Sequence, residues 1–422
     1  VEAQTGIYAD VVTRIGQLIG ENRPKVSFYM GAGLEHHDNG VNNIRALAVL
    51  SCLTGAVDID CGLGWPASLK RNKLTLYDEL PLEKEKPIGA GRFPVLYDLR
   101  KECHTMTAMD YMLGKGEYPL KGLIIAAANP AVSNPNTRKV EKALANLDLL
   151  VVNDFFMTRT ARLADYILPA ATFLEREELH FYPTQQLVNI TRKVARVEGV
   201  RNEYRVWHDL AHRLGFGESL FPWKDETEVN RWLLEPTGLT VDKLRQHPQG
   251  YVYKPIDYQK CLSDPLPTPS VKLEFASPYL HQLGLSEIPE YREPSYLKEA
   301  DANYPFVMTT GARKSLIYHS RHQNIARFRD VHPDAEMEIH PADAADLGIE
   351  DGEKVRVVSD MGELVIRAAV KHAAELRQGV VEIYHGWEDW RVNFLTHDDI
   401  NDPISGFPLL KAVPVRIEKI DA

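Results

Sequence analysis

The sequence predicts an α/β fold in its first half, with parallel, doubly wound sheet modules, followed by an all-β barrel or sandwich in its last 120 residues. Three observations carry this. Short apolar runs alternate with amphipathic helical segments up to about residue 215. Ten prolines then fall between Pro222 and Pro294, including the run PLPTP at 265–269. Beyond residue 300 the chain breaks into short alternating segments separated by turns. The expected boundaries are therefore an α/β region over 1–215, a proline-rich connection over 216–300 and a β domain over 301–422.

In chain order, residues 9–19 (ADVVTRIGQLI) place Val11, Ile15, Leu18 and Ile19 at helical spacing. The apolar run VSFYM at 26–30 predicts a strand stopped by the glycine turn Gly31-Ala32-Gly33. A helical stripe, Ile44, Leu47, Ala48, Leu50 and Leu53, follows and closes at Gly55. Residues 56–104 show no clean period and read as a surface excursion. LIIAAA from Leu123 predicts a buried strand broken by Asn129-Pro130, and Asn136 is placed to cap the helix NTRKVEKALANL. LLVV at 149–152 is a further strand, ending at Asn153-Asp154. A short helix and the run YILP at 166–169 complete the alternation. In open parallel sheets ligands sit at the carboxyl ends of strands, where Gly31, Asn129 and Asp154 are expected. YRVWHDLAHRL at 204–214 is amphipathic, with Val206, Trp207, Leu210 and Leu214 on one face. In the last region YPFVMTT, EMEIH, EKVRVVS, GELVIRAAV, GVVEIYH and AVPVRIE predict strands, and Pro341 and Gly348 bound one helix.

Composition excludes several classes. The formal net charge of −10 argues against a nucleic-acid binder. No apolar stretch approaches the roughly 18 residues of a membrane span. The opening residues lack the basic and apolar regions of a signal peptide. Cys52, Cys61, Cys103 and Cys261 form no C-x-x-C pair, so neither a zinc knuckle nor a bound iron–sulfur cluster is indicated. The chain opens at Val1 with a helix almost at once, which is expected of a sequence that begins inside a larger polypeptide.

Six segments, in order, bear a resemblance that no single one would carry. They are GAGLEHHDNGVNNIRALAVLSCLTG, IIAAANPAVSNPN, VVNDFFMTRTARLADYILPAATFLERE, PTPSVKLEFAS, TTGARKSLIYHSRHQN with EIHPADAADLGIEDGEKVRVVSDMGE, and VNFLTHDDINDPISGFPLLKAVPVRIEK. The series resembles the carboxy-terminal portion of the dimethyl-sulfoxide-reductase family of molybdopterin oxidoreductases. The chain departs from the family pattern over Thr54–Cys61, at Arg159, where a Glu is common, and at Val271, where a Gly is common.

The resemblance implies that the terminal domain is a six-stranded barrel of double-psi type. It also implies two molybdopterin guanine dinucleotide cofactors carrying molybdenum or tungsten. The family's metal ligand and its cysteine-bound 4Fe–4S cluster lie upstream of the first segment matched here, so catalytic residues are not assigned and no metal ligand is expected within the chain. Cofactor contacts are implied for Gly31, Ala32, Gly33, His36, Asn129, Asn153, Asp154 and Arg176. The barrel adds Thr310, Gly311, His319, Ser320, His385, Asn393 and Lys411. The chemistry suits a guanine dinucleotide, whose pyrophosphate takes backbone N–H groups and cations and whose ribose and base take Asp, Asn and Ser.

Competing readings stand beside these. Gly31-x-Gly33 lacks the third glycine of a G-x-G-x-x-G, His36 occupying that place, and alone would be a tight turn. His36 beside His37 could be a surface histidine, Asn129 a turn residue and Arg176 a solvated arginine. Thr158 and Thr160 suit caps, Asp165 a structural role, and Trp387 and Trp390 packing. The implied reaction is electron or oxygen-atom transfer. A metal-free scaffold relative, and a non-redox tungsten or molybdenum hydratase or transhydroxylase, are the alternatives. Implied partners are the amino-terminal half of the same enzyme and an iron–sulfur electron-transfer subunit, with no nucleic acid and no membrane span, in a prokaryotic cytoplasm or periplasm.

Overall fold

A computed structural model describes residues 1–65, 67–75, 77, 86–295 and 303–420. The chain forms two compact units, each gathered from separate stretches. The first comprises Val1–Met30, Ile44–Leu76 and Ala170–Glu290, the second Gly31–Asn43, Tyr77–Pro169 and Tyr291–Ala422.

In the second unit, strands β1 (Gly122–Ala126), β2 (Leu149–Asp154) and β3 (Tyr166–Pro169) form a parallel sheet in that order. The run LIIAAA predicted the first of them. Ile125, Leu150 and Val152 enter a core with Met109, Val140, Ala143 and Leu144, all at most 7% exposed. The helix Thr137–Ala145 begins as expected, the Asn136 side chain accepting from the Lys139 N–H. Thr158 accepts from the Ala161 N–H, and Asp165 accepts from the Leu150 N–H at 2.7 Å, so both hold the loops between strands.

In the first unit, β4 (Leu179–Tyr182), β5 (Leu187–Ile190) and β6 (Tyr251–Val252) form an antiparallel sheet. It packs on helices Glu226–Leu234 and Val241–Arg245 through Val188, Ile190, Leu234, Val241 and Leu244. Residues 217–252 of the expected extended connection thus form packed helices and a strand, whereas the run PLPTP at 265–269 lies in no helix or strand. Pro236 sits in a turn between the two helices, where a missing N–H costs nothing, so proline density did not prevent packed helices. The expected strand at 26–30 is also absent: these residues form no ladder, and Tyr29 is 98% exposed. A short apolar run becomes a strand only where a neighbour supplies hydrogen bonds. Helix Ala9–Asn22 forms as predicted, with Val11, Ile15 and Leu18 all more than 40% exposed.

The barrel of the second unit is built from β7 (Phe306–Thr310), β8 (Glu336–Ile339), β9 (Lys354–Val358), β10 (Glu363–Val370), β11 (Val380–Ile383) and β12 (Val413–Lys419). It closes in the order β10-β8-β11-β7-β12-β9. β8 with β10, and β7 with β11, run parallel, and the other neighbours run antiparallel. The period-2 pattern read in the sequence is the cause. In EMEI, Met337 and Ile339 fill the interior while Glu336 and Glu338 lie outside it, bonded to Lys314 and Lys371 respectively. The helix Pro341–Asp346 follows β8, as its bounding Pro and Gly predicted.

Candidate cofactor-binding site

Four stretches of the second unit converge beside the barrel: the segment 36–40, the loop after β7, the loop after β11 and the approach to β12. The Thr310 hydroxyl donates to the Leu410 carbonyl at 2.9 Å, and the Lys411 Nζ donates to the Thr310 carbonyl. The Leu410 N–H in turn donates to the His36 carbonyl at 3.1 Å. The His36 ring stacks on Phe407 with centroids 4.5 Å apart. That phenyl ring ends a loop organised by buried Asp402, whose carboxylate accepts from the Ile404, Ser405 and Val41 N–H groups. His319 meets His385 edge to face at 5.4 Å.

The loops are packed backbone on backbone. A Cβ added to Gly386, where φ is +93°, would lie 2.3 Å from the His319 carbonyl carbon and 2.6 Å from the Ser320 nitrogen. Buried Gln323 clamps the same contact, donating to the Gly386 carbonyl at 2.7 Å and accepting from the Glu388 N–H at 3.0 Å. Neither residue was among those singled out from sequence. A glycine in the loop just past β11 carries no local sign of such an approach, and only the parallel β7–β11 pairing makes it visible.

The electrostatics follow from this crowding. Burial, aided by Lys411, pushes His36 down to about 4. Burial, aided by His319 and His36, pushes His385 down to about 4. His319 is lowered by burial and by Arg313 and Arg321. Burial lowers Lys411, against the opposing pull of Glu382. The Nδ1 atoms of both His36 and His385 are buried without a hydrogen-bond partner. The site is thus a set of neutral imidazoles and cations with unused nitrogen atoms.

At the strand ends the predicted residues divide. Asp154 closes β2, its carboxylate accepting from the Phe156 N–H at 3.1 Å and raised by burial. Its neighbour Asn153, 4% exposed, donates to the Leu168 carbonyl and leaves Oδ1 buried without a partner. Asn129 is different. Its Oδ1 accepts from the Thr160 hydroxyl at 2.7 Å and N–H at 3.2 Å, and its Nδ2 donates to Glu388 at 3.3 Å. The amide expected to face a ligand instead ties two loops together. Asn393 is fully buried, donates to the Val132 carbonyl and accepts from Thr396. Arg176 lies in the first unit, paired with Glu203 at 2.5 Å and Glu178 at 3.3 Å, so its charge is already met by two carboxylates. Gly31 has extended backbone and Gly33 has open space where a Cβ would stand, so neither glycine is demanded by contacts within the chain. Trp387 is buried in the barrel core, as the packing alternative held.

These groups fit a nucleotide-bearing anion. Cations and orphan imidazole nitrogens suit pyrophosphate, and the unpartnered Asn153 oxygen beside Asp154 suits the N–H edge of a base or a ribose hydroxyl. Among the described residues no three His, Cys, Asp or Glu side chains are grouped so as to hold a metal ion. A parallel α/β sheet and a closed barrel bearing such a cradle define a protein that holds a dinucleotide cofactor.

Comparison with known proteins places it further. The family model for molybdopterin oxidoreductases matches residues 19–213, and that for the molybdopterin dinucleotide-binding domain matches residues 306–414. The chain belongs to the molybdopterin oxidoreductase family. It is 29% identical over 417 residues to acetylene hydratase of Syntrophotalea acetylenica, covering 90% of this chain and 56% of that one. It is 27% identical over 434 residues to the F420-dependent formate dehydrogenase subunit alpha of Methanocaldococcus jannaschii, covering 98% of this chain and 61% of that one. The solved structure of acetylene hydratase from Pelobacter acetylenicus superposes with a TM-score of 0.86 at 26% identity, covering 99% of this chain and 64% of that chain. The chain therefore spans somewhat over half the length of the curated relatives it matches.

Proposed function

We propose that this chain holds the guanine-dinucleotide ends of two molybdopterin cofactors in a molybdenum- or tungsten-dependent oxidoreductase. The observation that carries the reading is the cradle of His36, His319, His385 and Lys411 within and beside the matched dinucleotide-binding region. When bound, the cofactor supplies a metal held by dithiolene sulfurs, at which electrons or an oxygen atom are exchanged. The residues of this chain bind and orient. Lys411 and Arg313 offset phosphate charge, the imidazoles offer donors to phosphate oxygens, and Asp154 with Asn153 accepts from the base or ribose. Gly386, Gln323 and Asp402 fix the loops that carry them. A further stretch of polypeptide, bearing the metal ligand and a 4Fe–4S cluster, and an iron–sulfur partner subunit belong to the same proposal.

The similarity to acetylene hydratase supports a second reading, in which the same cradle serves a non-redox hydration. The two differ in whether turnover needs an electron acceptor. The primary test is mass spectrometry of the denatured protein purified under anoxic conditions. Release of guanine nucleotide in a ratio near two per chain is expected, and its absence from protein that contains metal would refute the reading.

A further inference from the structure

We infer that the cradle takes up a proton together with its anion: a pyrophosphate group enters as His36 or His385 becomes an imidazolium that donates to it through Nδ1. The inference rests on the proposed dinucleotide reading and adds a linkage between affinity and pH.

His36 is fixed by stacking on Phe407, and His385 by the edge of His319. Each has a buried Nδ1 with no partner, and a buried polar atom left unpaired is retained at a cost unless a ligand meets it. The surroundings of the two rings are one-sided in charge. From the segment that carries His36 comes His37, together with Asp38, whose carboxylate is engaged by the Ser295 N–H and hydroxyl. From the loop after β7 come Arg313, His319 and Arg321, and from the approach to β12 comes Lys411. The carboxylate that faces Lys411 is Glu382 on β11, which accepts from the Ala312 N–H at 2.8 Å. Among the described residues no carboxylate hydrogen-bonds to His36, His319 or His385.

Without an anion, a proton on either ring would add positive charge to a crowded, half-buried group of cations. Burial first, and then these neighbouring charges, depress both imidazoles to about 4. A pyrophosphate diester carries two negative charges and no proton that titrates near neutrality. Placed among these groups it reverses the sign of the local field, and an opposite charge at close range favours the protonated ring. Protonation and binding then reinforce each other. By linkage, affinity rises as pH falls between the free and the bound pKa, at up to about tenfold per pH unit for each proton taken up.

The experiment is calorimetric titration of cofactor-free protein, produced in a host unable to make the pterin. The probe is two guanosines joined through a 5′–5′ pyrophosphate. Titrations are run at pH 7.5, 6.5 and 5.5, each in two buffers of different ionisation heat. Expected is an affinity about five- to twentyfold tighter at pH 5.5 than at 7.5, with net proton uptake, on the same linkage. The His36→Gln, His385→Gln double variant should keep its melting behaviour at pH 8 and lose both the pH slope and the uptake, whereas His322→Gln should keep them. Should the double variant not fold, the proton count of the unmodified protein still decides. Binding that is independent of pH, with no proton uptake, overturns the inference and leaves the dinucleotide reading in place. No binding at any pH overturns the dinucleotide reading itself.

Discussion

Replacing Gly386 by alanine should damage the cradle. The glycine has φ of +93°, which an alanine adopts at a cost of about 1–2 kcal/mol. The new Cβ would stand 2.3 Å from the His319 carbonyl carbon and 2.6 Å from both the His319 oxygen and the Ser320 nitrogen. These are backbone atoms, so relief requires a loop shift rather than a rotamer change, and overpacking of this kind costs about 1–3 kcal/mol. The sum is about 2–5 kcal/mol, against a typical domain stability of about 5–15 kcal/mol. A shift of about 1 Å also opens the 2.7 Å Gln323–Gly386 bond and moves His319 away from His385. Two assays report separately. Thermal unfolding should show a drop of several degrees, and titration with the guanosine pyrophosphate probe at pH 6 should show at least tenfold weaker binding. A G386A protein that melts and binds as the unmodified chain does would refute the close approach of these loops and the placement of His319.

Three further outcomes are expected. Val271→Gly should stabilise the protein: Val271 has φ of +53°, a conformation costing a β-branched residue about 1–2 kcal/mol, partly offset by the greater chain entropy of glycine. A net gain near 0.5–1 kcal/mol should appear as a higher urea midpoint, and an unchanged midpoint would show that no strain is stored there. Lys139 bridges Asp110 at 2.8 Å and Asp398 at 2.5 Å, so Lys139→Met leaves half-buried Asp110 and buried Asp398 without their cation, Asp398 keeping the hydrogen bond from the Asn136 amide. A loss of about 2–4 kcal/mol is expected, discounted for partial exposure, and chemical denaturation of the variant against the parent checks it. Stability should also depend on pH through the half-buried rings of His36 and His385. His36 and His385 have folded values of about 4 against an ordinary 6.5, so the unfolded chain binds more protons between those limits. Stability contributed by the neutral rings is therefore complete above about 6.5 and is lost as pH falls toward 4. Melting temperature should decline from pH 7 to 5 with a slope that the His36→Gln, His385→Gln double variant reduces; equal slopes would contradict the burial of these rings.

The regular parts of the fold were legible because their periods are physical. EMEI, EKVRVV and GELVIRAAV alternate since each strand has one face in the barrel core. LIIAAA and LLVV are apolar at every position and read as fully buried strands, yet only one face of each is covered: Ile125, Leu150 and Val152 are buried, while Ile124 and Leu149 are more than 40% exposed. Asn136 as a cap and Asp154 at a strand end were legible for the same local reasons. VSFYM was not, because strand formation depends on a partner that no run of five residues encodes. The proline-rich segment misled because prolines at helix boundaries look the same in composition as prolines in a linker.

Site residues were legible as residue types but not as roles. An asparagine that meets a ligand and one that ties two loops share the same letter, and only their partners separate Asn153, with a free oxygen, from Asn129 and Asn393, with none. The departures from the family pattern were more informative than the matches. Val271 stands in left-handed backbone, which is why glycine is common there. Arg159 replaces a common glutamate, yet its Nε meets Glu141 at 2.9 Å, and Glu141 also holds Arg391 at 2.5 Å. The Arg159 N–H reaches Glu388, the same carboxylate that binds Asn129. A charge reversal absorbed by a neighbouring acid, in a loop tied to the barrel by Glu388, argues that this position serves the loop's anchorage. On the proposed reading, the groups left to meet a cofactor are those without partners, the Asn153 oxygen and the Nδ1 atoms of His36 and His385.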